Sequence, residues 1–83
     1  MNLKQEVIQS IKREDSICNI AIDHLKKSCH DFEKKYHMST GSFLKKFNKG
    51  KLGDEQDFFK WYSVSEGVKD WLKTRSALRE ILK

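Results

Sequence analysis

Five side chains that commonly bind metals lie in the first half of the sequence: Cys18, His24, Cys29, His30 and His37. A structural zinc site needs four such ligands converging at about 2.0–2.3 Å on one point, usually from closely spaced pairs such as Cys-x-x-Cys. The sequence contains no such pair. Its two cysteines fall on the apolar face of a predicted helix, whereas His24 and His30 lie off that face. We therefore expect core thiols and exposed imidazoles, with no metal and no other cofactor.

Nucleophilic catalysis would need a serine or cysteine beside a histidine that an acidic residue orients. His24, Cys29 and Asp31 are close in the sequence, but a helix places them on different faces. The carboxylates of Asp54 and Asp57 are typical of a helix N-terminus, where the helix dipole favours negative charge. A chain of 83 residues also offers no obvious cleft for a substrate. We expect that the protein is not an enzyme.

Basic residues suggest a second kind of chemistry, which is contact with nucleic-acid phosphates. The net charge is +5, and three lysine doublets predict a basic stripe that continues from one helix to the next. The doublets are Lys26 and Lys27, Lys34 and Lys35, and Lys45 and Lys46. These lysines could equally solvate the outside of a helical protein, and acidic residues such as Asp31 and Glu33 interrupt the stripe. A small regulator that binds DNA or RNA is therefore the alternative function.

Apolar residues at steps of three and four predict a long first helix from about Leu3 to about His37. The repeat runs through Ile8, Ile11, Asp15, Cys18, Ile22, Leu25, Cys29, Phe32 and Tyr36. Asp15 followed by Ser16 could also cap a new helix, which would break the first helix there. Beside the repeat, additional apolar surface comes from Ile17, Ile20 and Ala21. This extra width predicts contacts on more than one side of the helix.

Two further helices follow. Ser39 and Thr40 are alternative N-caps for a short helix that ends at residues 48–50. Asp54 is the expected N-cap of the last helix, which runs from about Glu55 to about Ile81. No stretch alternates with the period of a strand. We predict one all-α domain over residues 1–83, an antiparallel hairpin of two long helices with a short connecting helix.

Folding the long helices back on each other brings their charged seam residues together. The second repeat runs through Trp61, Val64, Val68, Trp71, Arg75, Leu78 and Leu82. Asp15 is the only acidic residue of the first repeat, and Arg75 is the only basic residue of the second. We predict that Asp15 and Arg75 form a pair that sets the register. The pair should add little stability, because desolvation offsets most of the attraction.

The last helix starts with an aromatic segment, in which four of the six residues from Asp57 to Tyr62 are aromatic. The apolar faces of both long helices are wider than a two-helix hairpin can cover. We therefore expect dimerisation or a partner chain to complete the core, and tryptophan and tyrosine are favoured anchors at such interfaces. The predicted partner-binding residues are Phe58, Phe59, Trp61, Tyr62, Val68 and Trp71.

The sequence also predicts the environment of the protein. No apolar run is long enough to span a bilayer, and the N-terminus lacks the apolar core of a signal peptide. Cys18 and Cys29 would lie about 16 Å apart along one helix, too far for a disulfide. We expect a cytoplasmic protein that makes no contact with membranes.

Residues 32–61 resemble a class of small prokaryotic helical proteins with patterns close to FExKYxMS, FxxGxLGD and DxFxW. The corresponding segments are FEKKYHMS at residues 32–39, FLKKFNKGKLGD at residues 43–54 and DFFKW at residues 57–61. Many members of this class look like the antitoxin partners of small toxins encoded next to them. The resemblance implies that the chain binds and inhibits a cognate toxin from a neighbouring gene, for which an RNA-cleaving enzyme is one candidate. Docking of an apolar helix face would suffice for such inhibition.

Overall fold

The computed structural model describes residues 3–83, and most of these residues are helical. Helix α1 spans Leu3–Tyr36, α2 spans Thr40–Asn48 and α3 spans Gln56–Leu82, with no strand in the described part of the chain. Helices α1 and α3 pack against each other in antiparallel directions, and α2 lies in the connection between them. The predicted all-α hairpin of two long helices and one short helix is confirmed.

Helix α1 continues through Asp15 and Ser16, so the alternative of a new helix starting there is wrong. The Ser16 hydroxyl donates to the carbonyl oxygen of Lys12 at 3.2 Å, one turn earlier in the same helix. A serine that bonds backward in this way is an interior helical residue and not a cap. The apolar repeat on both sides of Asp15 packs against α3, which stabilises the continuous helix.

Residues in the left-handed backbone region end the first two helices. After α1, His37 has a φ of 54°, and the amide of Met38 donates to the carbonyl oxygen of Glu33 at 3.3 Å. This hydrogen bond closes the last turn of α1. After α2, Gly50 has a φ of 67°, which glycine adopts without steric cost. The two turns allow α2 to fold against the start of α3.

The caps of α2 and α3 differ. Ser39 caps α2, since its side-chain oxygen accepts a hydrogen bond from the amide of Ser42 at 3.1 Å. At α3, Glu55 occupies the cap position and makes no side-chain cap hydrogen bond, so the predicted cap at Asp54 is wrong. The first turn of α3 still contains the negative charge of Asp57, which the helix dipole favours.

One antiparallel register applies along the hairpin, because both helices rise by the same distance per residue. Outward from the connection, contacts join Phe32 to Trp61, Leu25 to Gly67, Asn19 to Arg75 and Asp15 to Arg79. This register corrects the predicted pair of Asp15 and Arg75. Arg79 donates to Asp15 at 2.9 Å, and Arg75 donates to Asn19 at 2.8 Å. Asp15 lies one helical turn further along α3 than the prediction placed it.

The molecule is elongated and has its largest core at one end. Its extents are 57 × 21 × 18 Å, and its radius of gyration is 16.8 Å, against about 12 Å for a compact chain of this length. The aromatic head, defined by buried Phe43, Phe58 and Trp61 and the side chains packed on them, fills the end that contains α2. Further along the hairpin, Cys18 and Ile22 are the only buried apolar residues within residues 3–83. No helix within residues 3–83 combines the length and apolar character needed to cross a lipid bilayer.

Candidate partner-binding surface

Trp61 lies at the centre of the aromatic head. Its ring is fully buried and stacks on Phe43, with centroids 4.0 Å apart and an angle of 3° between the planes. The indole Nε1 donates to the hydroxyl of Thr40 at 3.0 Å, which satisfies the one polar atom of the ring. Phe58 is also buried, and its ring lies 5.9 Å from Phe43. Trp61 and Phe58 were predicted to bind a partner, but α2 covers both, and they are core residues.

Three aromatic rings, one exposed and two half-buried, border the head. Phe59 leaves 53% of its surface in water and contacts Phe47 edge-on, with ring centroids 5.8 Å apart. Phe47 in turn stacks on Tyr62 at 4.9 Å. We call Phe47, Phe59 and Tyr62 the aromatic patch. Sequence reasoning identified Phe59 and Tyr62 but missed Phe47, because the contact between α2 and α3 that joins the three rings is tertiary.

The other two predicted partner-binding residues, Val68 and Trp71, are half-buried further along α3. Trp71 lies about 18 Å from Phe59 along the helix axis. Val68 lines an open groove of about 420 Å³ together with Leu44 and Ser65. Two of the six predicted residues are therefore in the core, two are in the aromatic patch, Val68 is in the groove, and Trp71 lies apart from all three, so the six form no single surface.

The groove also contains Cys29, His30 and Glu33. The Glu33 carboxylate accepts a hydrogen bond from the amide of Thr40 at 2.8 Å, and its other oxygen lies 3.1 Å from His30 Nδ1. The Thr40 amide holds the pKa of Glu33 below its ordinary value. Burial raises the pKa of the Cys29 thiol, which makes the reactive thiolate scarcer. Among residues 3–83, no three histidine, cysteine, aspartate or glutamate side chains cluster as a metal site requires.

No protein-family model, curated protein or solved structure matches this chain. Besides the aromatic patch, large apolar side chains are exposed on α1. Val7 is 56% exposed, Ile17 is 42% exposed and Ile20 is 62% exposed. Ile17 and Ile20 agree with the additional apolar surface that the sequence predicted beside the first repeat.

A polar cluster connects the end of α1 to the start of α3. The carboxylate of Asp57 accepts hydrogen bonds from the Lys35 ammonium and from the Tyr36 hydroxyl, each at 2.6 Å. The hydrogen bond from Lys35 is the largest cause that lowers the pKa of Asp57, and the hydrogen bond from Tyr36 is the second. The same hydrogen bonds raise the pKa values of Lys35 and Tyr36. The ring of Tyr36 packs on Phe58 at 5.1 Å. The cluster therefore fixes the turn of α3 that carries the aromatic patch.

The six lysines predicted to contact nucleic acid are exposed but do not form one stripe. They are Lys26, Lys27, Lys34, Lys35, Lys45 and Lys46. Neighbouring residues of a helix point about 100° apart, so each doublet is divided between two faces. Lys27 and Lys34 line one cleft, which also contains the acidic side chain of Asp31. Lys35 lies elsewhere and pairs with Asp57.

Proposed function

We propose that this chain is an antitoxin-like protein, which binds a toxin from a neighbouring gene through the aromatic patch and inhibits it sterically. The observation that carries the proposal is the exposure of Phe59, which leaves 53% of its surface in water at the rim of a packed aromatic core. Burying such a ring in a partner contributes about 25 cal/mol for each Å² of apolar surface removed from water. Large aromatic side chains of this kind are frequent energetic anchors of protein interfaces.

The resemblance to antitoxin-like proteins supports the same region of the molecule. Its matching stretch, residues 32–61, covers the end of α1, all of α2 and the start of α3. Phe47 and Phe59 lie within that stretch, and Tyr62 follows it directly. A helix end that occupies a groove of a toxin inhibits it without any catalytic residue. The partner class that we propose is an RNA-cleaving toxin.

The packing beneath the aromatic patch also favours binding. Phe47 is stacked on Tyr62, and Tyr36 hydrogen-bonds Asp57 one turn before the middle of the patch. Side chains that are already ordered lose less conformational freedom when a partner docks. The patch is thus a preorganised surface, in contrast to a flexible loop that must fold on binding.

Co-expression with the product of the adjacent gene tests this proposal. We expect the purified full-length chain and that product to form one complex, detected as a defined mass by light scattering. In the variant Phe59→Glu we expect the dissociation constant of the complex to rise about thirtyfold or more, as for loss of an interface anchor. Ile81→Glu is the matched control, since Ile81 is also exposed, at 65%, but lies at the other end of α3.

Two results would overturn the proposal: the absence of any complex, or unchanged affinity of the Phe59→Glu variant. Salt gives an independent readout, because docking of an apolar patch changes little with ionic strength. Binding driven by nucleic-acid phosphates weakens steeply as salt rises. The chain could fail to bind the adjacent gene product and instead form a nucleic-acid complex that weakens steeply as salt rises. That result would favour the alternative function, a regulator that binds nucleic acid.

A further inference from the structure

One flank of α1, about 100° around the helix from the repeat that packs on α3, carries a second set of residues at heptad spacing. Steps of three and four residues place on it Val7, Ser10, Glu14, Ile17, Ala21 and His24. We call these six residues the outer seam. Val7 and Ile17 remain 56% and 42% exposed although they occupy seam positions. Helices pair along such a spacing where apolar residues occupy it, and three of the six positions, Val7, Ile17 and Ala21, are apolar.

The surface area of the chain leaves room for an interface of ordinary size. The chain exposes 6287 Å², whereas a compact monomer of 9.8 kDa exposes about 5,200 Å². The excess, about 1,100 Å², is comparable to the roughly 800 Å² that each partner buries in a standard protein interface. The exposed area of the chain is therefore large enough for one further helix pairing of ordinary size.

We propose that the outer seam binds the outer seam of a second copy of this chain, with the two α1 helices antiparallel about a twofold axis near residues 15–16. In this register Val7 lies opposite His24 of the second copy, and Ser10 lies opposite Ala21. The symmetry repeats each of these contacts in reverse, as in other twofold interfaces. Ser10 and Ala21 are small, so the helices can approach closely on both sides of the axis.

Charge decides the direction of the pairing. In a parallel pair, each Glu14 would face Glu14 of the second copy, and like charges in a seam repel each other. In the antiparallel pair, each Glu14 lies opposite Ile17 instead, and the two Glu14 residues are offset by about 4.5 Å along the axis. Beside the seam, the offset along the helix axis between Glu6 and Lys27 of the second copy is about 3 Å, which suits an ion pair between these side chains. The twofold axis makes two such pairs.

The same geometry accounts for the exposure of Ile20. Ile20 lies beside the outer seam on the same flank as Glu6 and Lys27, and it is 62% exposed in the single chain. In the antiparallel pair it lies against Arg13 of the second copy, whose methylene groups can cover it while the guanidinium stays in water. The aromatic patch is on α2 and α3, so it remains free for the proposed partner protein.

Light scattering of the purified chain over a wide range of concentration tests the dimer. We expect the mass to rise from one chain to two. The variant Ile17→Glu brings two additional carboxylates next to Glu14 across the axis, and we expect it to raise the dimer dissociation constant about a hundredfold. Phe59 is an apolar residue outside the seam that is 53% exposed, so Phe59→Glu should keep the dimer. Circular dichroism should show that each variant remains helical.

A charge exchange tests the antiparallel register. We expect Glu6→Lys and Lys27→Glu to weaken the dimer about two- to tenfold each at low salt, as for exposed ion pairs present twice. The double variant with both changes should recover the wild-type affinity. A chain that stays monomeric at every concentration, or an unaffected dimer in Ile17→Glu, would overturn the proposal. Failure of the double variant to recover would exclude this register.

Discussion

Arg79 donates a hydrogen bond to Asp15 at 2.9 Å, one helical turn beyond the point where Arg75 donates to Asn19 at 2.8 Å. These two contacts set the axial position of α1 against α3 at the open end of the hairpin. The bond between Tyr36 and Asp57 does the same beside the connection. Polar contacts at both ends therefore specify the register of the two helices. The apolar seam between them would specify it less precisely.

The ion pair of Asp15 and Arg79 should contribute little to stability. Its side chains are 19% and 53% exposed, so water screens the attraction. In a double-mutant cycle with Asp15→Ala and Arg79→Ala, we expect a coupling energy of less than about 1 kcal/mol. Urea unfolding followed by circular dichroism measures it. A coupling above about 2 kcal/mol would show that the pair is better shielded than its exposure indicates.

The hydrogen bond between Trp61 and Thr40 predicts a difference between two substitutions of similar size. Thr40→Val removes the hydroxyl that accepts from Trp61 Nε1 and leaves this buried donor without its partner. We expect the free energy of unfolding to fall by about 1–3 kcal/mol. Thr40→Ser keeps the hydroxyl and should cost much less. Equal losses in chemical unfolding of the two variants would contradict the role of this hydrogen bond.

Gly67 offers a test of the packing between α1 and α3. A Cβ atom at this position would lie 3.1 Å from Leu25 Cδ1, the flexible end of a half-buried side chain. Alanine in a helix interior is favoured over glycine by about 0.5–1 kcal/mol. Because Leu25 can shift by a few tenths of an ångström, we expect Gly67→Ala to raise the melting temperature and the larger Gly67→Val to lower it. A lower melting temperature for Gly67→Ala would mean that Leu25 is held in place.

Acid should destabilise the protein through Asp57 and Glu33. Their contacts hold the pKa of each carboxyl below its ordinary value, 3.8 for Asp57 and 4.5 for Glu33. A lowered folded-state pKa means that the stabilisation is complete above the unfolded-state pKa and is lost as the pH falls through the folded-state value. The melting temperature should therefore decrease below about pH 4.5. In Asp57→Asn this decrease should be smaller than in the wild type.

The control for the acid effect is Asp54→Asn, an exposed residue three positions earlier, which should retain the wild-type dependence on pH. Alkaline pH should also destabilise the protein, through Tyr36 and Lys35. The pKa values of Tyr36 and Lys35 are raised above their ordinary 10.0 and 10.5, so the stabilisation they provide is present below these values. It is lost as the pH rises through the folded-state pKa values. Thermal melts of Asp57→Asn that match the wild type at every pH would contradict the role of this cluster.

The locations of the helices could be predicted from sequence because their signals are local. Apolar residues at steps of three and four predicted both long helices to within one or two residues of their observed ends. The caps were harder to predict. Ser39 was one of two candidates for α2, whereas Asp54 was the wrong choice at α3, where Glu55 holds the cap position. Cap residues of similar chemistry stand next to each other, and only the path of the chain selects between them.

The predicted pairing of Asp15 with Arg75 was wrong for a related reason. The repeat identified Arg75 as the one basic seam residue, but a long side chain beside the seam can reach across as well. Arg79 does so, and Arg75 is then available to Asn19. Pairing of charges across two helices depends on their stagger to within one turn, which the seam residues specify only loosely.

The sequence by itself determined the helical class, the three elements and the presence of more apolar surface than a hairpin can cover, since all of these follow from residue type and periodicity. Only the tertiary structure decided which aromatic residues are core and which are surface. Phe58, Phe59 and Trp61 are close neighbours of similar character, yet α2 covers the first and the last and leaves Phe59 exposed. Burial depends on where a distant segment packs, and no local pattern contains that information.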